Sequence, residues 1–203
     1  MGEFSDKSRK SYDRKARGYN ASFEAKLSDR VSKDILQIVT VKDGYKVLDV
    51  ACGTGLILGK LSKLAKIHTY GADISEGMIG EARRALNGSE KSFIVCPSDQ
   101  IGFEDNMFDS VINTLSFHHF ENPVDVLHEM KRVLKDGGTL TIADLRMPSF
   151  LSGLVNRFIA LSNSGDVRIY GEKELFDLMH QAGFRDIRIV KVEGFRFVIQ
   201  GNK

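Results

Sequence analysis

Three aspartates end or closely follow three successive hydrophobic runs of this 203-residue sequence. Asp49 stands near the end of the first run, Asp73 directly follows the second, and Asp99 follows the third. A carboxylate after one strand can accept hydrogen bonds from both hydroxyls of a ribose, and a carboxylate after the next strand can accept from an adenine amino group. The pattern therefore predicts a nucleoside-binding site, with Ile74 and Met78 as apolar walls for the adenine ring.

A glycine turn, at Gly53 and Gly55, lies directly after the first run. Glycines between a strand and a helix let backbone N–H groups approach a nucleotide closely, although several cofactor classes use this device. A dinucleotide fold would have a third glycine in the spacing G-x-G-x-x-G, whereas residues 56–58 are Leu-Ile-Leu. A nicotinamide-dependent oxidoreductase nevertheless stays open as an alternative, because it shares the glycine turn and the ribose-binding acid.

Strand-like and helix-like segments alternate along the chain. We predict strands at 45–50, 67–72, 92–96, 109–115 and 139–143, and helices at 7–17, 21–39, 56–64, 75–86, 124–134 and 172–181. This alternation predicts an α/β fold with a Rossmann-like, doubly wound, mostly parallel sheet, helices on both faces, and ligands at the carboxyl ends of the strands. Two further runs, 186–192 and 195–200, are separated by too few residues for a parallel crossover and should form an antiparallel hairpin. Gly137 and Gly138 should end the helix at 124–134 in a left-handed conformation.

Composition and charge point to a small-molecule partner. The chain has the length of one domain, and hydrophobic residues make up 42% of it, which is enough to form a buried core. The net charge of +2 gives no strong indication of nucleic-acid binding, which usually shows as a basic stripe. The two cysteines, Cys52 and Cys96, show neither metal-site spacing nor a disulfide framework. With no apolar leader or membrane span in the sequence, we expect a cytoplasmic protein.

The motifs together resemble the class I S-adenosylmethionine-dependent methyltransferases, and more narrowly the small-molecule branch with the ubiquinone and menaquinone biosynthesis C-methyltransferases. The resembling segments span nearly the whole chain and are residues 12–20, 47–55 (VLDVACGTG), 72–75 with Met78, 98–99, 108–113 (FDSVIN), 132–138 (RVLKDGG) and 182–184 (AGF). The resemblance implies a seven-stranded sheet with an antiparallel last strand. It also implies one methyltransferase domain, residues 1–203, made of a helical lid (1–40), a cofactor-binding core (45–146), a short acceptor-side insertion (147–170), and a C-terminal helix and β-hairpin (171–203).

The same resemblance implies S-adenosyl-L-methionine as the cofactor and S-adenosyl-L-homocysteine as its product. The expected cofactor-binding residues are Tyr12, Tyr19, Asp49, Ala51, Cys52, Gly53, Gly55, Asp73, Ile74, Met78, Ser98, Asp99, Gln100 and Asn113. The two tyrosines belong to the lid, which would cover the cofactor. The chain departs from the family at Ala51 and Cys52, where many members have a glycine, at Gly102, which replaces a proline, and at Asn20, which replaces an aspartate. None of these changes removes a cofactor-binding acid.

The acceptor side of the site is less constrained by the sequence. His118 and His119 follow the fourth strand and are candidate catalytic bases for an acceptor that must lose a proton, with hydrogen-bonded wall residues as the other interpretation. Arg168 and Tyr170 follow an apolar helical pattern in the insertion and are candidate substrate-binding residues, with core packing as the alternative. We expect no metal.

The sequence thus predicts an enzyme that transfers a methyl group to a small, partly apolar molecule at oxygen, nitrogen or carbon by in-line displacement. Besides the oxidoreductase, a non-catalytic S-adenosylmethionine-binding protein stays open, because a fold alone does not establish catalysis. A nucleic-acid methyltransferase is disfavoured by the near-neutral charge and by residues 113–116, Asn-Thr-Leu-Ser, which are no Asn-Pro-Pro-Tyr type tetrapeptide.

Overall fold

The structure, a computed structural model, describes residues 2–86, 91–147, 155–157, 159 and 166–203. Two helices precede the sheet: α1 spans Glu3–Lys15 and α2 spans Phe23–Ile38, with a 3₁₀ turn at Ala16–Ala21 between them. The second helix begins where the Ser22 hydroxyl accepts a hydrogen bond from the backbone N–H of Ala25, an N-cap that satisfies one free donor of the first turn. Most of the predicted insertion at 147–170 lies outside the described residues.

The remaining elements alternate as the sequence predicts. The strands are β1 Lys46–Val50, β2 His68–Asp73, β3 Lys91–Val95, β4 Phe108–Thr114, β5 Leu134–Leu145, β6 Arg185–Glu193 and β7 Arg196–Asn202. The helices are α3 Leu56–Leu61, α4 Glu76–Ala85, α5 Pro123–Val133 and α6 Glu172–Gln181, and a second 3₁₀ turn spans Phe117–His119. Every predicted strand and helix is present, α6 with the predicted ends and the others with one or both ends shifted. Within the described part of the chain, no helix is long and apolar enough to cross a membrane.

The described strands form one seven-stranded sheet in the order β3-β2-β1-β4-β5-β7-β6. The pairs among the first five strands are parallel, whereas β7 runs antiparallel to both β5 and β6. The predicted fold class is therefore confirmed, including the reversed last strand. Because β1 and β4 are adjacent although β2 and β3 separate them in sequence, the strand order reverses at this pair, and ligands of such sheets bind at that point.

The predicted end of the fifth helix at the glycine pair is wrong. Helix α5 ends at Val133, and residues 134–138 already belong to β5. The register between β4 and β5 shifts between Phe108 and Ser110, and Gly137 has a φ of 76°. The glycine therefore allows an irregularity inside a strand rather than the left-handed end of a helix.

Helices bury both faces of the sheet. On one face, Leu48 and Val50 of β1 belong to a core cluster with Leu127 and Met130 of α5 and residues of α6. On the other face, Val47 packs in a second cluster that holds residues of α2, α3 and α4. Side chains alternate between the two faces along a strand, so β1, which is buried on both faces, contributes side chains to both clusters. The carboxyl ends of β1, β2 and β4 meet at one edge.

Candidate functional site

The turn after β1 brings backbone N–H groups to the edge of the sheet. Gly53 and Gly55 have φ angles of 52° and 75°, which glycine adopts without strain. A Cβ on Gly55 would lie 2.8 Å from Cδ1 of Leu86, directly after α4, so the Leu86 side chain would have to shift to make room for it. Gly55 thus shapes the turn through its backbone and its packing.

Two residues without this freedom adopt the same left-handed region at neighbouring strand ends. Ala51 follows β1 with a φ of 59°, and Leu115 follows β4 with a φ of 49°. Both line the cavity described below. Backbone strain of this kind in non-glycine residues persists where surrounding structure imposes it, and it is frequent at binding sites.

Asp73 is fixed by backbone donors from both sides. Its Oδ2 accepts a hydrogen bond from the N–H of Gly53 at 2.8 Å, and its Oδ1 accepts from the N–H of Ser75 at 2.9 Å. Burial nevertheless raises the pKa of Asp73 to about 6, because desolvation outweighs these two hydrogen bonds. Each oxygen keeps a second lone pair, so the carboxylate can accept further hydrogen bonds from a ligand.

Asp49 is a buried carboxyl with an unsatisfied atom. It is 2% exposed, and its Oδ1 has no hydrogen-bond partner among the described residues. Desolvation, together with the charge of Asp73, holds the pKa of Asp49 well above its ordinary value. Two neighbouring buried carboxyls, one of them lacking a partner, make a site that favours a cationic or hydrogen-bond-donating ligand.

A cavity of about 230 Å³ lies at this edge and brings most predicted cofactor residues together. The predicted residues that line it are Tyr12, Tyr19, Asp49, Ala51, Cys52, Gly53, Asp73, Ile74, Met78, Ser98, Asp99 and His119. They come from α1 and the 3₁₀ turn after it, from the carboxyl ends of β1 and β2 and the segments that follow β1, β2, β3 and β4, and from the first turn of α4. Segments far apart in sequence therefore form one concave surface with carboxylates, backbone donors and apolar walls.

Six predicted site residues are not part of that lining: Gly55, Gln100, Asn113, His118, Arg168 and Tyr170. Gln100 is exposed to solvent. Asn113 is buried, and its Nδ2 donates to the carbonyl of Val50 at 2.8 Å and to Oγ of Ser116 at 2.7 Å. Asn113 thus ties the carboxyl ends of β1 and β4 together rather than facing the cavity.

The lid is held to the core by contacts that the sequence motifs did not reveal. Oδ1 of Asp13 accepts hydrogen bonds from Oγ of Ser75 at 2.6 Å and from the N–H of Gly77 at 3.1 Å, at the N-terminus of α4. Oγ1 of Thr54 donates to Oδ1 of Asn20 at 2.9 Å. A carboxylate at a helix N-terminus complements the free N–H groups and the helix dipole. The sequence does not reveal this role of Asp13, because it depends on how α1 packs against α4.

The two adjacent histidines have different environments. His119 lines the cavity, and its Nε2 lies 3.2 Å from the hydroxyl of Tyr12. His118 lies behind it, where Nδ1 is 2.7 Å from Oδ1 of Asp144 and the backbone N–H donates to Oδ2 of the same residue. Burial opposes protonation of His118, but the charge and hydrogen bond of Asp144, with the charge of Asp166, together raise its pKa. Asp144 therefore fixes both the backbone and the ring of His118, which does not line the cavity.

Arg168 and Tyr170 lie away from the cavity. The Arg168 side chain is 50% exposed and pairs with Glu174 at 2.6 Å. Tyr170 is buried, and its ring packs edge-on against Phe117 with centroids 5.3 Å apart. The core-packing alternative therefore describes the position of Tyr170, while Arg168 stacks over that ring at the surface.

Similarity to known proteins agrees with this geometry. A family profile described as a methyltransferase domain matches residues 48–142. The chain is 34% identical over 106 residues to a demethylmenaquinone methyltransferase of Clavibacter sepedonicus, with 52% of this chain and 43% of that protein covered. It is 28% identical over 182 residues to a ubiquinone/menaquinone biosynthesis C-methyltransferase of Geobacter sulfurreducens, with 77% and 71% covered.

A solved structure of an S-adenosylmethionine-dependent methyltransferase of Thermotoga maritima shares the fold. The TM-score is 0.76 at 22% identity, over 95% of this chain and 98% of that one. At this identity the likeness concerns the fold alone. This chain spans less than half the length of the Clavibacter relative.

Proposed function

We propose that this chain, whose residues 48–142 match the methyltransferase domain profile, transfers a methyl group from S-adenosylmethionine to a small-molecule acceptor. The observation that carries the proposal is the pair of buried carboxyls, Asp49 and Asp73, beside the glycine turn. The cofactor carries a positive sulfonium and an ammonium group as well as a ribose diol. It therefore presents the cationic and hydrogen-bond-donating groups that these carboxyls lack.

The residues at the strand ends fit the parts of this cofactor. Asp73 has a lone pair left on each oxygen for the two ribose hydroxyls, and the unsatisfied Oδ1 of Asp49 can accept from a cationic donor. Ile74 and Met78 can form apolar walls for the adenine ring, and Asp99, which lines the same cavity, can accept a hydrogen bond from its amino group. The described residues thus offer a hydrogen-bond acceptor for the ribose hydroxyls, the cationic group and the adenine amino group of the cofactor.

The bound cofactor supplies an electrophilic methyl group on its sulfonium. The chain itself then has to position an acceptor in line with that methyl and exclude water. Tyr12 and Tyr19 line the cavity with ring centroids 6.1 Å apart, and in this proposal they cover the bound cofactor. His119 is an ionisable group on the proposed acceptor side, where it can hydrogen-bond the reacting atom and take its proton if one must leave.

The acceptor side of the cavity suits a small molecule of mixed polarity. Leu115, Phe120 and Val126 provide apolar surface, while Ser116 and His119 provide polar groups. The two curated relatives are named for demethylmenaquinone and for ubiquinone/menaquinone biosynthesis. An aromatic or quinol-like acceptor is therefore the first class to assay, with other oxygen, nitrogen and carbon acceptors beside it.

Thermal unfolding with added ligands tests the cofactor assignment. A ligand that binds only the native state raises the Tm, so S-adenosylhomocysteine should stabilise the protein and NAD should not. Stabilisation by NAD and not by S-adenosylhomocysteine would contradict the methyltransferase proposal and favour a nicotinamide-dependent oxidoreductase.

Release of S-adenosylhomocysteine with a broad panel of small acceptors then tests catalysis. A chain that binds the cofactor tightly but releases product with no acceptor would instead be a non-catalytic binding protein. Duplex and single-stranded nucleic acids belong in the same panel, where we expect no methylation.

A further inference from the structure

Three potential metal ligands converge beside the cavity. Nε2 of His118 lies 3.6 Å from Oδ1 of Asp166, and Nδ1 of His119 lies 3.0 Å from the same oxygen. The three ligand atoms all lie within 4.8 Å of one another. We propose that His118, His119 and Asp166 bind one divalent transition-metal ion.

The surroundings of both histidines match those of metal-binding imidazoles. A histidine that binds a metal through one ring nitrogen usually hydrogen-bonds an oxygen through the other, which fixes the ring and its tautomer. In His118 the other nitrogen lies 2.7 Å from Oδ1 of Asp144. In His119 it lies 3.2 Å from the hydroxyl of Tyr12. Each ring therefore directs one nitrogen to the shared carboxylate and the other to a supporting oxygen.

The ligand chemistry selects the class of ion. Two imidazoles and one carboxylate suit zinc and related transition metals, whereas calcium and magnesium require mostly oxygen ligands. Three protein ligands leave at least one position for water or another oxygen. The carboxylates of Asp144 and Asp166 further favour a positive ion next to a buried imidazole. The sequence pattern alone predicts no such site, because Asp166 lies far along the chain from the two histidines.

The ion would also control the hydrogen bond between His119 and the lid. With a metal on Nδ1, the ring proton is on Nε2, so His119 donates to the Tyr12 hydroxyl. Without it, a neutral ring with its proton on Nδ1 accepts at Nε2 from the hydroxyl of Tyr12. Only the second form can take a proton from an acceptor, and metal loading would therefore suppress that role.

Calorimetric titration of the chelator-treated full chain with Zn²⁺, without cofactor or acceptor, tests the site. We expect one ion per chain, at least about tenfold weaker binding for Asp166→Asn, and unchanged binding for the matched surface variants His128→Ala and Asp125→Asn. Both control residues are exposed on α5. His119→Asn provides a second ligand variant, and its thermal unfolding shows whether the fold is retained.

Cobalt gives an independent spectroscopic test. Co²⁺ bound to two imidazoles and a carboxylate should give visible absorption bands that Zn²⁺ displaces and that Asp166→Asn removes. Absence of stoichiometric binding, or binding of equal strength in the wild type and both ligand variants, overturns the proposal and leaves the three residues as a hydrogen-bonded group. Because these readouts involve neither cofactor nor turnover, failure of the metal site is distinguishable from failure of the proposed methyltransferase activity.

Discussion

The hydroxyl of Tyr12 lies 3.2 Å from Nε2 of His119, and the two rings pack edge-on with centroids 5.7 Å apart. This contact joins the first helix of the lid to the 3₁₀ turn that follows β4. It places a phenol and an imidazole at the same wall of the cavity. In the proposed function, this one hydrogen bond links the cover of the cofactor to the orientation of the acceptor-side histidine.

Tyr12→Phe should loosen the lid while keeping the aromatic packing. The variant loses one partly buried hydrogen bond, which typically contributes about 0.5–1.5 kcal/mol, so lid opening should become about 2–12-fold more frequent. Tryptic cleavage after Lys15 and Arg17 in the presence of S-adenosylhomocysteine measures this opening. Tyr45→Phe, outside the cavity, is the matched control, and equal cleavage of both variants would contradict the lid contact.

Asp13→Ala should weaken the attachment of the lid to α4. The substitution removes an acceptor for Ser75 and Gly77 at a helix N-terminus, a change that typically costs about 0.5–2 kcal/mol. Asp6→Ala on the same helix removes only ion pairs near the surface with Arg9 and Lys10 and should cost much less. Urea unfolding of the two variants compares them directly. A larger loss for Asp6→Ala would refute the assignment.

Asp73→Ala should remove most of the cofactor affinity. Hydrogen bonds to a charged group contribute about 1.5–3 kcal/mol, so we expect S-adenosylhomocysteine to bind roughly 10–100-fold more weakly. Calorimetric titration measures the dissociation constant, and Asp177→Ala, on the exposed face of α6, serves as the control. Unchanged binding by the Asp73 variant would refute its assignment to the ribose.

Cofactor affinity should rise with pH between about pH 5 and pH 7, because the ionised form of Asp73 is the better acceptor. Its pKa is raised from 3.8 to about 6 in the folded chain. The folded carboxyl thus holds its proton more tightly than the unfolded one, so Asp73 lowers stability as pH rises from about 4 to about 6, with no further change above. Calorimetric titrations with S-adenosylhomocysteine at several pH values should show the rise in affinity, and Asp73→Asn should remove most of this pH dependence.

Position 51 should accept glycine at a lower cost in stability than a branched residue. At a φ of 59°, glycine relieves strain but gains freedom in the unfolded chain, so Ala51→Gly should change the free energy of unfolding by less than about 1 kcal/mol. Ala51→Val should lose about 1–3 kcal/mol, because branched residues rarely adopt this conformation. Urea unfolding measures both, with Ala85→Val at the exposed end of α4 as the control. A valine at position 51 without cost would contradict the strained geometry.

The alternation of segments was sufficient to predict the sheet. Buried strands such as β1 carry continuous apolar runs, and the intervening helices carry one apolar face, so local patterns report their burial. The short turn after β6 was sufficient to predict the antiparallel hairpin of β6 and β7. The glycine pair before residue 139 was misjudged, because a left-handed glycine serves equally at a helix end and in a strand irregularity, and only pairing with β4 distinguishes them.

The sequence alone was enough to predict that Asp49, Asp73 and Asp99 lie close together, because each stands at or soon after the end of a strand and the carboxyl ends of parallel strands meet at one edge of the sheet. The surroundings of the two histidines depended on the tertiary structure. His118 and His119 are adjacent in sequence, yet a 3₁₀ turn directs one toward Asp144 and the other toward the cavity. Their common neighbour Asp166, and the lid contacts of Tyr12, come from distant segments. No local spacing encodes such contacts, because they depend on how helices and loops pack around the finished sheet.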